Sequence, residues 1–303
     1  MNRTRLDLTR SQILAFRQQA NALGERLPPG PRSLEQAAWA GLQDSMPRAA
    51  LLSIHARVEG TEPDTWADPS LVQIWGPRFS VFAVAARDLA IFTLGLNHPN
   101  RLRYAAATGT VLIRWAGARQ ATVWSVPRPE ADPSEARLEL ARRYLHIYGP
   151  TTPEAFGQWS GISARYAAAA FAALGGSLTP VQTPVGEAWI LARDEAACRA
   201  DPGPVAPARL LPSGDAYLLL QGTDRELMVP DADQRAALWT PRVWPGGLLI
   251  GGEVTGTWRR ADASMTVQTW RPLSAAERDA VVAEAESLPL PGTGKRISVR
   301  WAD

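Results

Sequence analysis

Cysteine is nearly absent from this 303-residue chain. The one thiol, Cys198, can close no internal disulfide and can build neither a zinc finger nor an iron–sulfur site. The three histidines, His55, His98 and His146, are scattered without metal-ligand spacing, so no metal is expected. Lysine is as scarce: of 32 basic residues only Lys295, in "PGTGKR", is a lysine. Chemistry through a Schiff base therefore has one late candidate, in what reads as an exposed loop. No apolar run approaches the length of a membrane span, and the N-terminal "MNRTRLDLTR" lacks the apolar segment of a secretory signal. A cytoplasmic, nucleoid-associated protein with no membrane partner is the expectation. There is no P-loop, and no GxGxxG in a strand-to-helix context, so no nucleotide cofactor is expected.

What is present is ordinary in bulk and specific in detail. Apolar residues make up 46% of the chain and charged residues 20%, enough to bury a large core in two or three units. The basic residues other than Lys295 are arginines, whose planar fork suits bidentate phosphate contacts and stacking on bases. A net charge of +2 permits nucleic-acid binding without proving it.

Helix starts are well marked. Thr9 and Gln12 form a capping-box pattern before "ILAFRQQANAL", and Ile13, Phe16, Ala20 and Leu23 then share a face. Ser33 and Gln36 form a second such pattern, opening "LEQAAWAGLQ", and Pro47 suits the first position of a third helix, "PRAALLSIHARV". "LVQIW" and "FSVFAVA" read as strands around "GPR". Three helices and a hairpin are the order of a winged helix, over residues 1–86. A second unit, 87–128, has helical "RDLAIFTLGL" and "PNRLRYAAAT", then a hairpin tipped by Ala116-Gly117. The third, 129–200, is the clearest. Its helices are capped by Asp132, Thr152 and Ser163 and stopped at Gly161 and at Gly175-Gly176, and "LTPVQTPVGEAWIL" follows as a hairpin. "ADPGPVAPAR" reads as a linker into a last unit, 201–303, of short β-like runs. These are "AYLLLQG", "RELMVP", "GGLLIGG", "EVTGTWRR", "MTVQTW" and "RISVRW", with one helix opened by a capping box at Ser274 and Glu277. The fold class expected is α+β, tandem winged-helix motifs followed by a C-terminal β-barrel.

The blocks "GLQDSMPRAALLSIHAR", "WGPRFSVFAVAARDLAIFTLG", "RYLHIYGPTTPEAFGQWSGI", "LLPSGDAYLLLQGTDRE" and "GTWRR", in that order, resemble the winged-helix DNA-binding domain-containing proteins that include the AlkZ/YcaQ-like DNA glycosylases of bacteria. The likeness runs from about Thr9 to about Trp270. It implies a concave DNA-binding surface and excision of N7-alkylated purines, with unhooking of bulky or interstrand crosslinks and self-resistance to genotoxic natural products in some members. The family's catalytic motif is Gln, an apolar residue, then Gln or Asp. Its first Gln matches Gln43, which puts Asp44 in the middle position and Ser45 in the third. The chain departs from the motif twice: the third residue is neither Gln nor Asp, and the middle one is acidic.

An N7-alkylated purine carries positive charge, so its departure needs little protonation. The enzyme must stabilise an oxocarbenium-like sugar and supply a water, which a carboxylate can do by charge and as a base. Gln43 would position the water or sugar. Asp44 is favoured for the second role by chemistry, Ser45 by register. Either is also an ordinary N-cap before Pro47. With Lys295 so remote, a monofunctional, water-using glycosylase is expected. Candidate DNA contacts are Arg48, Arg57, Arg78, Arg259 and Arg260, with Trp75 and Trp258 as aromatic candidates. The expected partner is double-stranded DNA bearing alkylated purines, bound by a monomer without a cofactor. The alternatives are a non-catalytic winged-helix regulator or damage-binding protector, and a protein that binds the genotoxic small molecule itself.

Overall fold

The computed structural model describes residues 6–46, 48–96, 104–115, 121–200, 206–290 and 297–302. The expectations for Pro47, for the Ala116-Gly117 tip and for Lys295 lie outside the described residues.

The chain opens with β1 (Leu6–Asp7), α1 (Arg10–Ala20), α2 (Pro31–Ala37), β2 (Leu42–Gln43) and α3 (Ala49–His55). The hairpin β3 (Leu71–Trp75) and β4 (Val81–Ala85) follows, then α4 (Leu89–Thr93), α5 (Tyr104–Ala107), β5 (Val111–Arg114) and β6 (Thr122–Ser125). Next come α6 (Pro133–Tyr148), α7 (Pro153–Ser160), α8 (Ala164–Leu174), β7 (Leu178–Thr183), β8 (Gly186–Leu191) and α9 (Glu195–Arg199). The last stretch holds β9 (Arg209–Leu211), α10 (Thr223–Met228), α11 (Ala232–Leu238), β10 (Gly246–Ile250), β11 (Glu253–Ala261), β12 (Ser264–Thr269), α12 (Ala275–Glu286) and β13 (Ser298–Ala302).

Among the described residues, side-chain caps from the N-cap residue fix six of the α-helix starts. Thr9 and Ser274 form complete capping boxes with Gln12 and Glu277, and Asp132, Thr152 and Ser163 accept from first-turn amides as expected. The Ser33–Gln36 box does not form. α2 starts three residues earlier, on Gly30 and Pro31, which leaves Ser33 inside the first turn. Two apolar runs read as strands are helical: "AYLLLQG" contains a 3₁₀ turn at Ala216–Leu218, and "RELMVP" lies in α10. Both pack into the main core, where Tyr217, Leu218, Leu220 and Met228 join Tyr144, Phe156 and Trp159. A short run buried on all sides has no period to separate helix from strand.

The strands form three sheets, ordered β1-β7-β8, β2-β4-β3-β5-β6 and β13-β12-β11-β10-β9. The hairpins of the first two sequence units therefore share one sheet through β3 and β5, and β1 docks parallel on the third unit's hairpin. The C-terminal strands form an open sheet rather than a closed barrel: among the described residues no pairing joins β9 to β13. Through Leu248, Trp258 and Val267 it packs against Val281 of α12 and Leu52 of α3. Buried ion pairs tie distant segments together, Arg17 with Asp224, Arg143 with Asp88 and Arg57 with Asp215.

Candidate DNA-binding and catalytic cleft

Gln43, Asp44 and Ser45 do not form the bare joint between two helices that the sequence implied. β2 pairs antiparallel with β4, Gln43 opposite Phe82, and the Asp44 amide donates to the Val81 carbonyl at 2.7 Å. Strand alternation then sorts the side chains. Leu42 and Asp44 are buried, at 0% and 2% exposure, while Gln43 and Ser45 look into an open cleft of about 450 Å³.

The Asp44 carboxylate accepts from the Ala50 amide at 3.0 Å and from Gln73 Nε2 at 2.6 Å. It caps the first turn of α3, whose own N-cap residue Arg48 is left-handed and makes no side-chain cap. Burial raises its pKa to about 6, against the lowering effect of the Ala50 and Gln73 hydrogen bonds and of Arg48. Asp44 therefore holds α3 in place and does not line the cleft beside Gln43 and Ser45.

The cleft is built from five segments: β2 and the residues after it, the "GPRF" turn between β3 and β4, the "PSGD" turn after β9, the start of α10, and the loop before β10. Its lining includes Gln43, Ser45, Arg78, Gln221, Arg225 and Arg242, and among the described residues no carboxylate. Arg78 Nη2 donates to Gln43 Oε1 at 3.2 Å. A guanidinium can only donate, so Gln43 must turn its oxygen to Arg78. Its Nε2 then faces Gly214, where an added Cβ would sit 3.3 Å away. Gly214 has φ of +75°, so the turn needs glycine both for its backbone and for that approach.

Arg78 and Phe79 both have positive φ, at 53° and 60°. Two consecutive left-handed residues with side chains are strained, and the surrounding structure must hold them there. Gly161, at the turn between α7 and α8, makes the room: a Cβ on it would come within 3.3 Å of the Arg78 amide nitrogen. The result is a desolvated guanidinium with its pKa lowered by burial and with Nη1 lacking any partner. Arg225 lies across the cleft. Its Nε donates to the Leu220 carbonyl at 2.8 Å, and its guanidinium lies 5.0 Å from the Trp239 ring and 5.4 Å from that of Trp244. Burial lowers its pKa, and the charge of Arg78 lowers it further.

The other expected DNA contacts divide. Arg259 and Arg260 are exposed and line a smaller cleft of about 180 Å³ that shares Met46, Ser213, Val243 and Trp244 with the first. Arg48 is in neither cleft lining, and its guanidinium lies 4.3 Å over the Trp66 ring. Arg57 is 1% exposed and bound to Asp215 by two hydrogen bonds of 2.8 Å, so it cannot reach a phosphate. Trp258 is buried too, its Nε1 donating to the Leu211 carbonyl at 3.0 Å. Trp75 is half-buried at the end of β3 and outside the cleft lining. His55 is buried against Thr61 and Ser287, with its pKa pushed down to about 3 by burial and by Arg26 and Arg209.

Sequence reasoning missed Arg225, Arg242, Gln221 and Trp244. Only the "SGD" turn carried a local signal, a Ser-Gly pair that marks a turn.

The comparisons with known proteins agree with one another. A family model described as "DNA glycosylase AlkZ-like" matches residues 95–289. Gln43, Ser45 and Arg78 lie before that span, and Arg225 and Arg242 lie within it. An interstrand DNA cross-link repair glycosylase of Streptomyces sahachiroi is 31% identical over 176 residues, which are 56% of this chain and 46% of that relative. The chain thus spans about half the length of the curated relative it matches. In three dimensions it resembles the Streptomyces sahachiroi DNA glycosylase AlkZ with a TM-score of 0.78. That match covers 98% of this chain and 100% of the other at 19% identity, a likeness of fold.

Proposed function

Because the chain belongs to the AlkZ-like DNA glycosylase family, we propose that it is a monofunctional DNA glycosylase of N7-alkylated purines, bulky and interstrand-crosslinked adducts included. The observation that carries the reading is the pairing of Gln43 and Ser45 on one face of an arginine-lined cleft that has no carboxylate among the described residues. The helix-and-hairpin runs from α1 to β4, from α4 to β6 and from α6 to β8 are read as tandem winged-helix units that bring this cleft to duplex DNA.

The chemistry asks little acid catalysis of the protein. The alkylated base is already cationic and departs neutral, taking the glycosidic electron pair. A water then adds at the anomeric carbon of the sugar cation and leaves an abasic site, with one proton released to solvent. Gln43 serves by position. Its oxygen is tied to Arg78, so the Nε2–H bonds are available to a water or to the sugar. Ser45 takes the second place of the motif, because the extended course of the chain continues past β2 through the Asp44–Val81 backbone bond, with positions one and three toward the cleft and Asp44 inward. Asp44 supports the site through α3. No amine takes part, so the product is an abasic site without strand cleavage.

The test is release of free base from duplex containing 7-methylguanine. Gln43→Ala and Ser45→Ala should each lower the single-turnover rate by about 10-fold or more, in the range of one lost transition-state hydrogen bond. Asp44→Asn should keep most of the activity. Wild-type protein that binds such DNA and releases no base would sink the enzyme reading, and a borohydride-trapped adduct would sink the monofunctional one.

A further inference from the structure

Two guanidiniums face the cleft from different ends of the chain. Arg78 comes from the strained turn after β3, and Arg225 comes from α10. Each is partly desolvated, and each lacks a carboxylate: among the described residues neither takes part in an ion pair. The fully buried arginines are satisfied differently. Arg17, Arg57 and Arg143 are matched to aspartates, and Arg209 donates to the carbonyls of Ala56, Ala208 and Gly24. Burying a cation without a counterion is costly, and placing a second cation near it adds repulsion. Both costs fall when an anion enters.

The two side chains are also held ready. Arg225 is fixed by its Leu220 hydrogen bond and by the Trp239 and Trp244 rings, and among the described residues its terminal nitrogens make no hydrogen bond. Arg78 is fixed by its backbone, by Gly161 behind it and by Gln43, with Nη1 unpartnered. Pre-organised forks of this kind suit a tetrahedral oxyanion and lose little entropy on binding it.

We propose that Arg78 and Arg225 form a two-pronged clamp for one phosphodiester of the DNA strand, next to the nucleotide that Gln43 addresses. The inference rests on the glycosylase reading and makes it more specific. The clamped phosphate gives the strand its register against Gln43. It also changes the field in which the sugar cation forms. The empty cleft is cationic and opposes a positive sugar. A phosphate between the two arginines cancels one of their charges, and the substrate so brings the anion that the protein does not place there. Arg78 has a second duty as the positioning residue for the Gln43 amide.

The experiment separates binding from base release. Affinity is measured as a function of salt on undamaged duplex and on duplex with a tetrahydrofuran abasic-site analogue, for the wild type, Arg225→Gln and Arg225→Lys. Arg225→Gln should weaken binding about tenfold or more and reduce the slope of log affinity against log salt by about 1. Arg225→Lys should keep the slope and lose affinity, since it keeps the charge and loses the fork. A scan of single methylphosphonates flanking the abasic site should find one position that costs the wild type a similar factor and costs Arg225→Gln little. If Arg225→Gln fails to fold, the scan on wild type and Arg225→Lys still decides. A folded Arg225→Gln with wild-type affinity and slope, or a scan with no sensitive flanking position, would overturn the clamp and leave the glycosylase reading standing. Absence of any DNA binding by wild-type protein would overturn both.

Discussion

Gln43 and Asp44 are neighbours in sequence and opposites in environment. One shares an open cleft with three arginines, while the other is sealed beneath α3. That division was hard to read because β2 is two residues long and exists only through its pairing with β4. Once the strand is known, the alternation follows at once. The environment of Asp44 makes a pH prediction. Its folded pKa of about 6 lies above the ordinary 3.8, so the native state holds a proton that the unfolded state has lost. Stability from this group is fully present below pH 3.8 and is lost as pH rises through about 6. The difference is worth about 3 kcal/mol. Asn at this position cannot titrate, and its oxygen still accepts from Ala50. Its amide meets that of Gln73, which sets a constant cost. The difference in Tm, Asp44→Asn minus wild type, should therefore rise between pH 4 and pH 7. A flat difference across that range would show that Asp44 is not buried as an acid.

At the scale of elements, the legible parts were those whose cause is local. The capping boxes at Thr9 and Ser274 and the caps at Asp132, Thr152 and Ser163 need only their own first turns. Ser33 failed because Gly30-Pro31 is an equally local and earlier start. α10 failed because its apolar face is covered by partners from α1 and the third unit, which no window of "RELMVP" contains; this hid Arg225. The "GPRF" turn shows how an element can depend on a distant residue. Its position in space is set against Gly161, at the end of α7. Gly161 has φ of +80°, and any Cβ there presses on the Arg78 backbone. Gly161→Ala should cost about 1–2 kcal/mol by denaturant unfolding, from the left-handed conformation and the crowding together. The displaced turn should also lower base release with a smaller effect on overall DNA affinity, because Arg78 would no longer hold the Gln43 oxygen. Unchanged stability and unchanged release would show that the close approach does not matter.

At the scale of the whole molecule, the units drawn from the order of elements, 1–86, 87–128, 129–200 and 201–303, are not separate bodies. The first two share a sheet, β1 of the first pairs with the hairpin of the third, and residues from all four meet in the main core. The cleft exists only where they converge, since Gln43 and Arg78 come from one end of the chain and Gly214, Arg225 and Arg242 from the other. Arg57 is the clearest sign of this. In sequence it is one more arginine on a basic helix and a fair candidate for a phosphate. In the structure it crosses to Asp215, next to the Gly214 that touches Gln43, and its Nη1 also donates to the Ser53 carbonyl. The pair has 1% and 0% exposure, so cutting it leaves a buried charge. Arg57→Ala should therefore destabilise the protein by about 3–5 kcal/mol, and Arg57→Met with Asp215→Leu should recover much of that loss, because the apolar pair leaves no orphan. The two roles for Arg57 differ in one further readout. A phosphate ligand would take about 1 from the salt slope of DNA binding when removed. A buried staple would leave the slope of the folded fraction unchanged, while base release falls as the "PSGD" turn loosens against Gln43. We expect the second pattern, and a reduced slope at wild-type stability would return Arg57 to the DNA-binding surface.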